Sequence, residues 1–265
     1  MSIVLSSFLV GLIILVLFMR LLSRTDCVRY NTRCPRLIHM IYIPWNRDQT
    51  LKEDEDDFDK GPYETMKRRH PDFEVRLWKR SSLDRFLRLY YPQYRDRIWS
   101  VRRPVMTVDL LRVLLVYHYG GLYWQYDAVP RVTPLTRFLP SMDKDVRLFT
   151  ETVLTPLRAR EIGRKEPIRQ GEPEETVRVA NQVFSAVPRS EYLWCLLERA
   201  MQNMEEYPYE TIQKDYDILF LVSNALWSTM YDRKGRLDPR IELISLSRTR
   251  GMVHMTGKGS WRQDG

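Results

Sequence analysis

Residues 107–130 read TVDLLRVLLVYHYGGLYWQYDAVP, and the fold turns on this stretch. Val108, Leu111, Leu115 and His118 or Tyr119 recur at three- and four-residue spacing, which predicts a helix. Asp109 and Arg112, three apart, share one face of it. Gly120 and Gly121 end the helix, because glycine accepts the positive φ of a C-cap. Leu122 to Tyr126 is aromatic and apolar, a short buried strand. Its carboxyl end delivers Gln125 and Asp127, and Pro130 closes the segment. In open α/β sheets that end of a strand is where ligands bind.

Outward from this stretch, strands and helices alternate. Pro35 to Trp45 and Asp72 to Trp78 read as strands on either side of a Gly61–His70 helix. Arg147 to Thr155, Val177 to Val187 and Ile241 to Leu246 read as further strands. Glu191 to Met204 is an amphipathic helix, and within Asp217 to Met230 Ser223 reads as the cap of a following helix. The charged stretches Leu51–Lys60 and Glu161–Glu175 read as surface loops. The alternation predicts one α/β domain with a mostly parallel sheet over residues 35–265.

Ile3 to Met19 carries no charge and spans about 26 Å as a helix, enough for a thin bilayer. Residues 1–22 are therefore expected to be an uncleaved transmembrane anchor, and 23–34 a short stem. Basic residues follow the anchor and none precedes it, which favours a cytosolic domain.

The 265 residues carry a net charge of +8. No helix-turn-helix, zinc-finger or RNP signature accompanies that charge, so no nucleic-acid partner is expected. The three cysteines, Cys27, Cys34 and Cys195, make no zinc pattern. Cys27 and Cys34 are close enough in sequence to pair in an oxidising lumen, and Cys195 reads as a core residue.

Asp109-x-x-Arg112, Leu115, Tyr117 and Gly120-Gly121-Leu122-Tyr123 before an acidic residue resemble the sugar-binding glycosyltransferases with an Asp-x-Asp motif (glycosyltransferase family 32). That group includes mannosyltransferases, inositol-phosphoceramide mannosyltransferases and bacterial capsular sugar transferases. His254, with Gly259-Ser260-Trp261 after it, resembles the family's closing segment, and Leu37-Ile38-His39 its first strand.

The resemblance implies a GT-A type nucleotide-sugar transferase fold. It implies transfer of a hexose from a GDP- or UDP-sugar to a glycan or glycolipid, with retention of configuration and Mn²⁺ or Mg²⁺ as cofactor. By resemblance, Asp109 accepts hydrogen bonds from sugar hydroxyls and Arg112 contacts sugar or phosphate. Asp127 coordinates the metal, and His254 supplies a metal ligand or a phosphate contact. His39, Trp78 and Gln125 lie at the nucleotide, and Asn181 faces a sugar. Lys258, Ser260 and Trp261 close over the diphosphate. Eukaryotic members face the Golgi lumen, in conflict with the charge bias around the anchor.

One departure stands out. Gln125 occupies the position of the family's first acid. An amide keeps an oxygen acceptor but loses the charge. Two readings follow: an active membrane-anchored transferase, or a catalytically silent relative that serves as a binding or scaffold partner. Without the resemblance, His39 reads as a core histidine satisfied by a backbone partner, and Asp109–Arg112 as a local ion pair.

Overall fold

The computed structural model describes residues 34–44, 59–101, 103–132, 134–164, 176–207 and 215–254. The expected anchor, the stem to residue 33, most of the acidic run and the C-terminal Lys258, Ser260 and Trp261 lie outside them. Among the described residues no helix is long and apolar enough to cross a membrane.

Six strands form the main sheet: β1 (Leu37–Ile41), β2 (Glu74–Trp78), β3 (Gly121–Trp124), β5 (Val146–Val153), β6 (Val177–Ala186) and β7 (Ile241–Ile244), in the order β2-β1-β3-β6-β5-β7. β1 pairs parallel with β2 and β3, and β5 with β7, whereas β6 runs antiparallel to both its neighbours. Five strands therefore point one way and β6 alone is reversed. The mostly parallel α/β sheet expected from the sequence is present.

Both faces of the sheet are covered. Successive strand residues point to opposite faces. Tyr123, Phe184 and Leu148 accordingly join one apolar cluster, and Leu122, Trp124, Val183 and Phe149 join the other. The first cluster packs under α4 (Pro104–Tyr119), which is buried from Pro104 through Val116. A helix apolar all round belongs inside a domain. It packs there against α6 (Glu191–Glu206), and α8 (Asn224–Met230) packs on α6 and β6. Between α2 (Arg80–Tyr90) and α4 lies α3 (Pro92–Ser100). The second cluster takes in Met66 of α1 (Gly61–Arg69) and Met252 of α9 (Leu246–Met252).

The helix-to-strand turn is built on its two glycines. Gly120 has φ +70° and Gly121 φ +96°. A Cβ on Gly121 would lie 2.4 Å from the Leu37 carbonyl oxygen, and one on Gly120 2.6 Å from Pro188. Only glycine permits both the dihedral and the close approach of β1.

Two elements, α5 (Pro156–Arg164) and α9, depart from the expectation. The helix α5 runs into the stretch read as a loop. Pro156 is pre-set for a first helical turn, and Thr155 Oγ1 accepts from the Arg158 amide. Ser223 stands at the N-cap of α8, as expected, and a separate short helix, α7 (Asp215–Leu221), precedes it. α9 follows β7 directly where no helix was expected. Cys34 is a free thiol donating to the Ala186 carbonyl, and burial pushes its pKa up to about 12.

Candidate functional site

β3 ends at Trp124, and the chain turns at once. The Ala128 amide donates to the Gln125 carbonyl, and Trp124 Nε1 donates to the Ala128 carbonyl at 2.8 Å. This turn holds Gln125 and Asp127 at the sheet's carboxyl edge, where the side chain of Gln125 donates from Nε2 to Asp127 Oδ1 at 2.7 Å. The chain leaves the turn as β4 (Val129–Pro130), which pairs antiparallel with β8 (Val253–His254). Val129 lies opposite His254 in that register. The pairing brings His254 to the strand that leaves the Gln125–Asp127 turn.

Two cavities flank this crossing. One, of about 360 Å³, is lined by Arg131, Glu151, Gln182, Arg250 and His254 among others. The other, of about 280 Å³, is lined by Asp127, Tyr126, Met66 and His70. Arg131 spans the first: Nη1 donates to the Arg250 carbonyl and Nη2 to His254 Nδ1, both at 3.2 Å. Arg131, Arg250, Glu151 and Gln182 were not picked out from sequence. Arg131 directly follows the decisive stretch, but the β4–β8 pairing that gives it a role is a long-range contact with no local signal.

Asp109 and Arg112 lie beneath the site and do not line it. Their side chains are 2% and 5% exposed, and they pair at 2.8 Å. Asn181 Nδ2 donates to Asp109 Oδ1 and to Ser223 Oγ, while Arg112 Nη1 donates to the Asn181 carbonyl at 2.7 Å. Burial pushes the Asp109 carboxyl up, against the Arg112 charge and hydrogen bonds from Ser223 and Asn181. The Arg112 guanidinium sits over the Tyr123 ring. This network ties α4 to β6 and to the start of α8. The residue after Asn181, Gln182, accepts from the Gln125 amide through its carbonyl at 2.9 Å. The pair thus fixes the strand that fixes Gln125. Direct contact with a sugar, expected for Asp109, Arg112 and Asn181, has no open surface here.

His39 and Trp78 are likewise placed in the core. His39 is fully buried; Nε2 faces the Gly120 carbonyl at 2.9 Å, and Trp78 Nε1 donates to Nδ1 at 3.0 Å. Nδ1 accepts, so Nε2 carries the proton. Burial holds the imidazole down at about 4 and keeps it neutral. Trp78 packs against His39, Phe86 and Tyr119. Neither residue has a face left for a nucleotide. The expectation that they bind one is corrected to a structural role, coupling β1 and β2 to the glycine turn.

The donor set was tested for the expected Mn²⁺ or Mg²⁺. Hard dications want several oxygen ligands. Here one carboxylate, Asp127, is already hydrogen-bonded to an amide that has replaced the second. His254 Nδ1 faces a guanidinium, which has protons to give and no lone pair. A neutral imidazole accepting at Nδ1 carries its proton on Nε2, which makes that atom a donor and not a metal ligand. Among the described residues no group of three His, Cys, Asp or Glu side chains gathers to hold a metal. The described donors do not fit a protein-held dication.

Residues 56–144 match the family described as "Glycosyltransferase sugar-binding region containing DXD motif". A mannosyl phosphorylinositol ceramide synthase of Saccharomyces cerevisiae is 24% identical over 163 residues, 60% of this chain and 34% of that protein. A second such synthase from the same yeast is 34% identical over 58 residues, 22% of this chain and 15% of that protein. Inositol phosphoceramide mannosyltransferase 2 of Schizosaccharomyces pombe is 25% identical over 155 residues, 58% and 37% of the two chains. The matches thus span little more than a third of these relatives at most. A solved glycosyltransferase, PaToxG, aligns with TM-score 0.47 and 13% identity over 78% of this chain and 72% of its own, a likeness that carries no argument. The helix, glycine turn, strand and acidic end all lie inside the segment, residues 56–144, that matches the family of glycosyltransferase sugar-binding regions containing a DXD motif.

Proposed function

We propose that this chain is a membrane-anchored hexosyltransferase with a GT-A type domain, transferring a sugar from a GDP- or UDP-sugar to a glycolipid. The observation that carries the reading is the placement of Gln125 and Asp127 at the carboxyl end of β3, inside the family segment and beside His254. The names of the relatives make inositol phosphoceramide the first acceptor to try and a mannosyl donor the first donor. The charge-free run Ile3–Met19 supports a single-pass anchor, which suits a lipid acceptor and, in a eukaryote, a Golgi or ER membrane.

The chemistry asks for two things. The diphosphate gains charge as the glycosidic bond breaks, so positive groups near it lower the barrier. The sugar must also be held while its anomeric carbon is attacked. In this reading Asp127 and Gln125 offer acceptor oxygens and an amide donor to sugar hydroxyls at the turn. Arg131 and Arg250 supply positive charge in the adjoining cavity. The Asp109–Arg112–Asn181 network acts as positioning machinery, holding β6 and the Gln125 backbone in place.

The test is a donor screen with the full chain in detergent, measuring UDP or GDP release with inositol phosphoceramide as acceptor, with and without Mn²⁺. Release with one nucleotide sugar, dependent on acceptor, is expected. No release from either donor under any condition favours the alternative, a silent relative acting as a binding or scaffold partner, for which the loss of the first acid is the specific motive.

A further inference from the structure

Resting on that reading, we propose that the donor's diphosphate is held by the Arg131 and Arg250 guanidinium groups with His254, and that nucleoside diphosphate binding needs no divalent cation.

The argument starts from hydrogen-bond polarity. Arg131 Nη2 donates to His254 Nδ1, which leaves the proton on Nε2 of a residue that lines the cavity. An N–H suits an anion and repels a metal. Arg131 is held in place by a second bond, from Nη1 to the Arg250 carbonyl. Among the described residues neither Arg131 nor Arg250 forms an ion pair, whereas Arg88, Arg147 and Arg240 do. Both line the cavity of about 360 Å³ with His254, at the low end of the range for ligand sites. Glu151 also lines it, with Oε2 accepting from Asn224 Nδ2 at 2.6 Å. Two guanidinium groups against one carboxylate leave the cavity one positive charge in excess.

The acidic side shows the complementary change. A pair of acids holding a dication carries two negative charges. Gln125 and Asp127 carry one, and the amide of the first donates to the second. A single carboxylate makes a weak dication site, and paired guanidinium donors make an anion site. Arginine binds phosphate oxygens through two parallel N–H bonds, with the charge delocalised over a planar fork. Asp127 and the guanidinium groups line the two cavities beside the β4–β8 pairing, and this points to guanidinium charge doing the work of a dication.

The experiment is calorimetric titration of the full chain in detergent with UDP, GDP and inorganic pyrophosphate in the presence of EDTA, and with UDP and GDP in Mn²⁺. At least one nucleoside diphosphate is expected to bind in EDTA within about threefold of its affinity in Mn²⁺. Charge-assisted hydrogen bonds set the expected loss in Arg131→Ala at about 10- to 100-fold, with part of it recovered in Arg131→Lys. Arg250→Ala, whose side chain makes no hydrogen bond here, gives a second variant with little risk to folding. Binding that vanishes in EDTA, returns with Mn²⁺ and ignores both arginine variants overturns the inference while leaving the transferase reading standing. Pyrophosphate bound through Arg131, with UDP and GDP ignored in every condition, supports the anion site and sinks the nucleotide-sugar reading. Absence of binding by all three probes overturns the site itself.

Discussion

Arg112 and Asp109 close an ion pair at 2.8 Å on one face of α4, with side chains 5% and 2% exposed. Their spacing is that of a surface helix pair, worth a few tenths of a kcal/mol. Their surroundings are those of a core. Removing one partner leaves a charge buried without its counter-charge, so Arg112→Ala is expected to cost about 3–5 kcal/mol. Replacing both by apolar residues is expected to cost less than the two single changes added together. Urea denaturation of the four proteins in that cycle checks this. A loss below about 1 kcal/mol in Arg112→Ala would mean the pair behaves as a surface pair.

Gly121→Ala is expected to destabilise the domain by more than about 1 kcal/mol. The residue sits at φ +96°, and the new methyl meets the Leu37 carbonyl at 2.4 Å. β1 must move away, taking Ile38 and His39 out of register with Leu122 and Tyr123. A thermal melt unchanged from the parent protein is the contrary result.

Stability is expected to fall as the pH drops from 6.5 toward 4. Burial lowers His39 to about 4 in the fold, against 6.5 in the unfolded chain. Between those values the unfolded chain takes up a proton that the folded chain refuses, so acid favours unfolding. The full effect, complete below the folded value, is about 3 kcal/mol. His118 is also lowered to about 4, by burial and then by the Arg189 charge, but being part-exposed it adds less. Asp109 acts with the opposite sign, since burial raises its carboxyl and the fold binds its proton first. Comparing the parent with His39→Gln removes both backgrounds. The urea midpoint of the variant should depend less steeply on pH over this window, and parallel profiles would refute the assignment.

Gln125→Asp is expected to create a Mn²⁺ response. The substitution exchanges an amide that donates to Asp127 Oδ1 for a second carboxylate beside it, and hard cations favour paired oxygens. Mn²⁺ titration, followed by the spin resonance of the free ion, should show tighter binding in the variant than in the parent. Equal binding in both would mean that Asp127 alone sets whatever affinity exists.

The segment 107–130 carried its own fold in its sequence. The helix period, the two glycines and the aromatic strand are local signals, each produced by residues a few positions apart, and the structure has all three. The departure at Gln125 was equally legible, since it is a matter of residue identity. The helix α5 was harder: of its described side chains only Ala159 is buried, so its charged residues read as a surface loop.

What no local pattern held is which polar residues face a cavity. Asp109, Arg112 and His39 are chemically suited to a site, yet α4 and β1 are covered on the side they point to, and their partners come from β6, β2 and the glycine turn. His254 reaches the acidic turn only because β8 pairs with β4, and Arg131 gains its place by the same pairing. The sequence by itself determined the elements and the chemistry available to them, because helix period, strand alternation and side-chain type are properties of neighbouring residues. Exposure, proton polarity and the company each charge keeps were decided by tertiary structure, because desolvation and hydrogen-bond partners arise from contacts between segments far apart in the chain.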